Sequence, residues 1–541
     1  MAKRFSHWLE RQVGYEALLL SDRRVLHREA AIALEERAAL HGSENLPPDD
    51  ELRRRLLTFL PFPAAWSVAA LDASHHWRTA GHPVRAALHS LLAARDAEAR
   101  SSFADVARLA EGAVADLGPD GDALIAGEAH VVAGRARNRT SRFVEGLADF
   151  DAAAVLSSRS RTDALGTPGE RDALRRRIHT GRAGILERLG RLDESNTEVA
   201  QALAPGDEAI VAADEAAARN QLGLLHWNRG RYEDALRCFE QTIELATRTG
   251  DRRVLAAAVS NAGLIDVAKA AHTSAKSRFE ESLRIRQQIG DRAGQTASWV
   301  NLGSTLLFLG DFEGARAHFE RGWSLARLLG DRYGEALACY GLGQVHRALG
   351  DAAGARAMNA TALEISRDIG DLVGEARSRI VLAEDSLQEA DLASCEREST
   401  LAIRRCEQVG SSELLCLALS LRATLRVQEG DPAGAQADAD RAARIATETG
   451  YREGQIAAAI AGALSYGSRE AAARSVDAAR GFGDPRYVCE ALVAVAQLSL
   501  RAGSLATATE ALDEAVRTAR ASSSPEIARS VVSARRRLLS P

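Results

Sequence analysis

Lysine is almost absent from the sequence. All but three of its 69 basic residues are arginine, the exceptions being Lys3, Lys269 and Lys276. This bias indicates a GC-rich genome more than a particular chemistry. A phosphate-binding P-loop needs a Gly-Lys-Ser/Thr motif after a glycine turn, so that the lysine reaches the phosphates. None of the three lysines has that context, so the sequence argues against a P-loop site.

Long apolar runs are also missing. No run approaches the roughly 20 residues that a bilayer-spanning helix needs, and the N-terminus reaches the polar residues around Glu10 before an apolar segment develops. We therefore expect neither a membrane protein nor a secretory signal. Hydrophobic residues make up 46% of the chain and charged residues 26%, which is typical of a soluble folded protein. We expect a cytoplasmic location.

The cysteines form no C-x-x-C pair, which argues against a zinc ribbon and against a thioredoxin-type redox site. We interpret them as small buried hydrophobic residues. They are Cys238, Cys339, Cys395, Cys406, Cys416 and Cys489.

Charge of one sign does not dominate any part of the sequence. The formal net charge is -5 and acidic and basic side chains are interspersed. Such a pattern gives no global field that would favour nucleic acid or an anionic membrane. We predict that neither is a partner.

What the sequence does contain is a repeat of 40 residues. Gly-Asp pairs begin at residues 250, 290, 330 and 370, and the series continues with Gly410-Ser411 and Gly450-Tyr451. Further glycines lie halfway between, with Ala270 and Ala390 taking two of those positions. Glycine ends a helix in the left-handed conformation, and a following Asp or Ser can cap the next helix. Each unit is therefore predicted to be a pair of helices.

Small residues recur at three positions inside the units. The pattern predicts that helices cross closely there, because a larger side chain would hold the backbones apart. The first position reads Ala183, Gly223, Gly263, Gly303, Gly343, Ala383 and Ala423. The second reads Ser195, Ala235, Ala275, Ala315, Ala355, Cys395 and Ala435, and the third Ala202, Thr242, Ser282, Gly322, Ala362, Ala402 and Ala442.

This pattern resembles the tetratricopeptide repeat (TPR) in a 40-residue variant. Trp299 to Phe319 carries the resemblance most fully, and the phenylalanine position changes to Asn359, Ser399 and Ala439 in later units, which we expect to pack differently or more loosely. The resemblance implies an all-α fold, a right-handed TPR superhelix or α-solenoid of antiparallel helix pairs. We predict an N-terminal helical segment over 1–63, an irregular helical stack over 64–170, seven 40-residue units over 171–450, and shorter units with a capping helix over 451–541.

The N-terminal part resembles the helical arm of STAND-type signalling ATPases, the class associated with adenylate cyclases, kinases and transcription activators. Phe5-Ser6-His7-Trp8, Arg23 to Glu35, and His75-His76-Trp77 with Pro83 to Ala87 carry this resemblance. Only four residues precede Phe5, so we expect the ATPase core to be absent and do not expect ATP hydrolysis.

No motif in the sequence indicates a catalytic, cofactor or metal site. His75, His76, His82 and His89 are closely spaced, but no cysteine accompanies them and Pro83 interrupts the helix, so we interpret them as structural or surface residues. Gly341-Leu342-Gly343 is close to a dinucleotide fingerprint, but its phase places it inside a helix. Arg535-Arg536-Arg537 is interpreted as a solvated helix end. We predict that the protein is not an enzyme and holds no cofactor or metal.

The TPR resemblance implies a concave groove lined by the first helix of each pair. Side chains around the first small position should face it, and they are unusually apolar in the middle of the array. The predicted groove consists of Asn220, Leu224, Trp227, Asn228, Ser260, Leu264, Val267, Val300, Ser304, Leu307, Phe308, Tyr340, Gln344, Arg347, Ile380 and Glu384.

Two functions fit these features. The first is a non-enzymatic scaffold or adaptor that binds a protein or peptide partner in the concave groove, with a few apolar anchors supplying affinity. The second is the sensor or regulatory arm of a STAND-type signal-transduction or transcription regulator that acts with a separate ATPase. The identity of the partner and the oligomeric state stay open.

Overall fold

A computed structural model describes residues 20–41, 70–162, 166–205, 212–269, 271–522 and 524–539. These residues form 25 α-helices, and none of them lies in a β-strand. The predicted all-α fold of consecutive, antiparallel helix pairs is confirmed. In the part of the chain that is described, no helix is long and apolar enough to cross a membrane. Most of the N-terminal segment predicted over 1–63 lies outside the described residues.

The helices are numbered in chain order. The first nine are α1 (Leu20–His41), α2 (Ala70–Ala80), α3 (Pro83–Ala99), α4 (Phe103–Leu117), α5 (Ala123–Arg139), α6 (Phe143–Thr162), α7 (Pro168–Arg188), α8 (Leu192–Leu203) and α9 (Ala212–Asn228). The next eight are α10 (Tyr232–Thr249), α11 (Arg252–Ala268), α12 (His272–Gln288), α13 (Arg292–Phe308), α14 (Phe312–Leu329), α15 (Arg332–Ala348), α16 (Ala352–Asp368) and α17 (Leu372–Gln388). The last eight are α18 (Leu392–Val409), α19 (Ser412–Glu429), α20 (Pro432–Thr449), α21 (Arg452–Tyr466), α22 (Arg469–Phe482), α23 (Pro485–Arg501), α24 (Leu505–Ala521) and α25 (Pro525–Leu539).

The chain divides into two compact units. The first contains the described residues up to Arg182 together with those of Ala200–Asp214, and the second contains Ala183–Val199 with Glu215 onwards. Helices α1 to α6 thus belong to the first unit and α10 to α25 to the second. The segment boundaries predicted at residues 63, 170 and 450 stay predictions.

The helix joints have the chemistry that the 40-residue period predicts. Gly330 ends α14 in the left-handed conformation at φ 68°, and the carboxylate of Asp331 accepts a hydrogen bond of 2.9 Å from the backbone N–H of Gly334. Ala390 adopts the same backbone region at φ 60° although it carries a Cβ. The expected cap is missing at Ser411, whose side chain accepts no hydrogen bond from α19. The joints are otherwise local structures that the sequence specifies by itself.

In the early helix pairs of the second unit, a phenylalanine ring of the second helix packs against a glycine of the first helix. A Cβ placed on Gly263 would lie 2.8 Å from Cε1 of Phe279, and one on Gly303 would lie 3.0 Å from the ring of Phe319. Both phenylalanines are almost fully buried. Gly263 and Gly303 therefore cannot carry a larger side chain, because a phenylalanine ring of the second helix already fills the space beside them.

The later units pack differently, as the sequence predicts. Asn359 takes the phenylalanine position in α16, where it is fully buried against Gly343. Neither atom of its side-chain amide has a hydrogen-bond partner among the described residues. Ser399 and Ala439 fill the same position in α18 and α20 with smaller side chains. The aromatic filling of this one position thus ends with Phe319.

The second unit winds far enough for its first helices to contact its later ones. Gly230, between α9 and α10, lies so close to Thr449 that an added Cβ would be 2.8 Å from the threonine Cβ. The hydroxyl of Tyr232 donates a hydrogen bond to Glu413, 181 residues further along the chain. The guanidinium of Arg188 stacks on the ring of Tyr333 at 4.4 Å. These contacts make the second unit a tight coil of helix pairs.

We predict opposite effects of alanine at two helical glycines. Gly263→Ala should lower the midpoint of urea unfolding, because the added methyl group overlaps the Phe279 ring and overpacking costs about 1–3 kcal/mol. Gly462→Ala should raise the midpoint, because no atom lies within 4 Å of the new Cβ and alanine is about 0.5–1 kcal/mol better than glycine inside a helix. Circular dichroism of both variants measures the shift, and equal stabilisation by both would show that Gly263 is not closely packed.

Candidate functional site

Six helices of the second unit form a closed ring. Five of them, α15, α17, α19, α21 and α23, are the first helices of successive pairs, and each contacts the next. The sixth, α25, packs on α23 and returns to contact α15. The ring encloses a channel of about 520 Å³, which is within the range of roughly 300–1,000 Å³ typical of ligand pockets.

The start of α25 closes the ring. The hydroxyl of Ser524 donates a 3.3 Å hydrogen bond to the backbone carbonyl of Ala348, at the end of α15. Arg529 lies against Gly350, just beyond the same helix end. On its other side, α25 buries Val531 in the hydrophobic core formed with α23 and α24. The helix is therefore fixed to both ends of the ring.

One wall of the channel is apolar and has hydrogen-bonding groups along its edge. The apolar residues on α19, α21 and α23 are Leu417, Leu421, Ile460, Leu464 and Val493. The polar residues are Gln388, Ser420, Thr424, Gln428 and Gln497. Gln388 and Gln428 are exposed at the C-terminal ends of their helices, so the channel is open to solvent on that side.

A buried arginine holds three carboxylates at the junction of α15, α17 and α25. Arg347 is 9% exposed, and its guanidinium lies 2.7 Å from Glu384 and 2.9 Å from Asp385. Glu526 of α25 approaches the same guanidinium at 3.9 Å. Burial raises the pKa of Asp385 and of Glu526, and Arg347 opposes the rise in both. One cation is thus shared among three acids.

Glu490 of α23 projects into the channel from the facing wall. Its side chain is exposed to the channel interior, and no hydrogen bond joins it to any described residue. Desolvation by the surrounding helices raises the pKa of Glu490 to about 7. Arg486 partly offsets the rise, whereas Glu384, Asp484 and Glu526 add to it.

Tyrosines and carboxylates fill the ring near the N-terminal ends of α19, α21 and α23. The carboxylate of Glu453 accepts hydrogen bonds from the hydroxyls of Tyr451 at 2.7 Å and Tyr487 at 2.6 Å. It also accepts one from Arg486 at 3.1 Å. These groups satisfy one another, so this part of the ring is a closed polar network, whereas the opposite end is open.

The groove predicted from the sequence lies upstream of this channel and overlaps it. Arg347 and Glu384 belong to both. Ser260, Val300, Arg347 and Ile380 are buried. Phe308 is 44% exposed and stacks on His272 with ring centroids 4.9 Å apart. The remaining members are half-buried, namely Asn220, Leu224, Trp227, Asn228, Leu264, Val267, Ser304, Leu307, Tyr340, Gln344 and Glu384.

Many side chains of the predicted groove already have partners inside the second unit. Leu224 and Trp227 pack on the cluster around Phe239, and Leu264 and Val267 pack on the cluster around Phe279. The amide of Asn228 donates to Glu187 at 2.8 Å. Adjacent first helices are also linked by amides, since Asn261 donates to Asn220 at 3.0 Å and Asn301 to Ser260 at 3.3 Å. Phe308 is the most exposed apolar member.

Sequence reasoning missed the part of the channel on α19 to α25. The 40-residue period could have identified the lining residues of α19, because a step of 40 from Ala383 leads to Ala423. Three residues before and one residue after Ala423 lie Ser420 and Thr424, which both line the channel. Beyond residue 450 the period shortens, and no step from the earlier units reaches Glu490 or Glu526.

The other candidate residues of the sequence analysis form contacts within the fold and do not form a site. His89 is buried and lies 2.9 Å from Glu35, whereas His76 lies 2.6 Å from His27, so the predicted histidine group is split. No group of three or more potential ligands that could hold a metal occurs in the described residues. Gly341-Leu342-Gly343 lies inside α15.

The cysteines are packed in the protein interior, and Arg535 and Arg537 lie near an acidic side chain and the channel, respectively. All six cysteines are buried and free. Burial raises the pKa of Cys339 to about 11 and that of Cys406 to about 12, which keeps these thiols protonated and poorly nucleophilic. Arg535 pairs with Asp513 at 2.6 Å, and Arg537 lines the channel.

Two family models match parts of the chain. The tetratricopeptide repeat model matches residues 214–288 and 294–368. The model of anaphase-promoting complex subunit 5 matches residues 466–534. No curated protein matches the sequence.

Several solved structures are similar to the chain at low identity. A Rap protein complexed with competence and sporulation factor is 11% identical over 71% of this chain and 97% of its own, with a TM-score of 0.47. The anaphase-promoting complex hetero-tetramer Cut9–Hcn1 is 13% identical over 93% and 98%, with a TM-score of 0.48. Yeast Tom70 is 15% identical over 94% and 95%, with a TM-score of 0.36. These values support no inference about residues or partners.

We predict that Glu490→Gln stabilises the protein at pH 8 more than at pH 5. The pKa of Glu490 is about 7 in the fold and 4.5 as its ordinary value, so the folded state binds the proton more tightly. The unfolding free energy should therefore fall as the pH rises from about 4.5 to about 7. The neutral glutamine removes this loss.

Thermal unfolding at the two pH values measures the effect of this substitution. Glu510→Gln, at an exposed site on α24 outside the channel lining, is the matched control and should change the Tm little at either pH. An equal shift at pH 5 and pH 8 for Glu490→Gln would contradict the desolvation of this carboxyl.

Proposed function

Because the chain is a tetratricopeptide-repeat protein, we propose that it is a protein-interaction scaffold and that the channel inside its helix ring binds a peptide segment of a partner protein. The observation that carries this proposal is the channel of about 520 Å³, open to solvent at one end and lined by the first helices of successive pairs and by α25. In an array of helix pairs the concave surface is continuous over several repeats, which suits an extended or helical peptide.

The lining has the two kinds of group that peptide recognition needs. Leu417, Leu421 and Val493 form an apolar surface that removes apolar side chains from water. Gln428 and Gln497 carry amides that both donate and accept hydrogen bonds, as a peptide backbone requires. A few apolar anchors with polar groups around them account for affinity and orientation together.

We propose that the sequence-predicted groove extends this binding surface upstream. Arg347 and Glu384 connect the two, and Phe308, Leu307 and Tyr340 supply further apolar area that is exposed or half-buried. A partner longer than the channel would contact both parts. Buried members such as Val300 and Ile380 would act by shaping the helix packing instead of contacting the partner.

In this proposal the protein acts by binding and not by catalysis. The thiols are buried with raised pKa values, and the pairing of Arg347 with Glu384 and Asp385 serves to hold charged groups in place. The alternative role, as the sensor arm of a STAND-type regulator, stays a prediction. A P-loop ATPase, kinase or cyclase encoded next to this chain would support it.

We predict that a bulky residue inside the ring abolishes partner binding. Val493→Trp should fill the apolar wall of the channel and weaken binding at least about tenfold, because a single blocked anchor costs 1.4 kcal/mol or more. The control is Val532→Trp, at a position on α25 that is 41% exposed and outside the channel lining.

Quantitative pull-downs from the native lysate compare wild type with both variants, after circular dichroism has shown that all three are folded. Proteins retained by wild type and Val532→Trp and lost with Val493→Trp are the expected result. Equal retention by all three would place the binding surface outside the channel and overturn the proposal.

A further inference from the structure

Acidic side chains from three helices meet in one section of the channel. Glu384 lies on α17, Glu490 on α23 and Glu526 on α25, and all three line the cavity. Glu384 and Glu526 are neighbours because both approach the guanidinium of Arg347. Glu490 is close enough to both for their charges to act on its ionisation. The section is therefore surrounded by carboxylates.

The cations of the ring do not balance these acids. Arg347 is shared among Glu384, Asp385 and Glu526. Arg486, the cation that acts on Glu490, is itself bound to Glu453 at 3.1 Å and lies 3.9 Å from Asp484.

The remaining lining arginines lie elsewhere or are paired. Arg356 is paired with Glu389, and Arg529 lies against Gly350. Arg537 is 11 residues along α25 from Glu526, or about 16 Å at the helical rise. Among the described residues, none of the three forms an ion pair or a hydrogen bond with Glu490.

We propose that this section of the channel binds a lysine or arginine side chain of the peptide, seated among Glu384, Glu490 and Glu526. The inference rests on the proposed peptide-binding function and names the chemistry of the peptide. A cation at this point would neutralise the excess of negative charge, and its N–H groups would donate charge-assisted hydrogen bonds to the carboxylate of Glu490, which has no donor among the described residues. An acidic side chain would meet repulsion there.

The raised pKa values of the carboxylates strengthen this preference. Desolvation among the ring helices raises the pKa of Glu490 and of Glu526, and the charge of Glu384 adds to the rise in both. A bound cation opposes this rise, whereas a neutral side chain leaves it in place. The apolar residues Leu421 and Val493, which also line the channel, would contact the hydrocarbon part of the same peptide.

A peptide library selected on the immobilised full-length protein tests the proposal. The library contains short peptides with every amino acid at each position, and the selection is run at pH 8, above the pKa of Glu490. We expect lysine or arginine to be enriched at one position by about tenfold, because a basic side chain forms charge-assisted hydrogen bonds there that a neutral one cannot. Glu490→Gln should remove most of that enrichment, and Glu510→Gln should leave it unchanged.

A charge reversal gives a second, independent result. Glu490→Lys should shift the preferred residue at the same position from basic to acidic, provided that circular dichroism shows a folded protein. Enriched peptides without a basic preference, or a basic preference that survives Glu490→Gln, would overturn this inference and leave the peptide-binding function standing. The absence of any enriched peptide on the wild type would overturn the function and the inference together.

Discussion

The contact between the start of α25 and the end of α15 determines what the second unit can do. Helix pairs that stack only on their neighbours form an open array with a shallow concave face. Here Ser524 bonds to the carbonyl of Ala348, and Glu526 reaches the guanidinium of Arg347. These contacts join the last helix to one ten helices earlier and enclose the concave face as a channel. The apolar wall and the carboxylates of Glu384 and Glu526 line one channel only because this ring is closed.

The charges of the ring explain why the site is suited to binding. Arg347 is buried with three carboxylates around it, so it holds α15, α17 and α25 together without being free to bind a ligand. Glu490 is in the opposite situation, since it faces the channel and makes no hydrogen bond to the described protein. The hydrogen bonds of the polar groups are complete on one wall and incomplete on the other. Such a network favours a ligand that supplies the missing hydrogen bonds. The same arrangement weakens the empty protein at high pH.

The repeat itself could be predicted from the sequence because it is encoded locally. A glycine such as Gly330 ends a helix and the next aspartate caps the following one, whatever the rest of the chain does. The small position at Gly303 is explained by the ring of Phe319, only 16 residues away. Ser411 shows the limit of this rule, since a residue able to cap does not do so there.

The site was only partly predictable, for a physical reason. The 40-residue step led to Arg347 and Glu384, which line the channel. It could not show that Val300 and Ile380 would be buried, or that α25 would face α15, because that contact joins residues 176 positions apart. Contacts of such separation depend on the twist accumulated over many helix pairs, and no short sequence pattern records that twist.

The most direct measurement is an experimental structure of the protein with a bound peptide. The account predicts a peptide inside the ring of α15, α17, α19, α21, α23 and α25, packed on Leu421 and Val493, with a basic side chain beside Glu490. A peptide bound on the outer face formed by the second helices, with the channel unchanged, would contradict it.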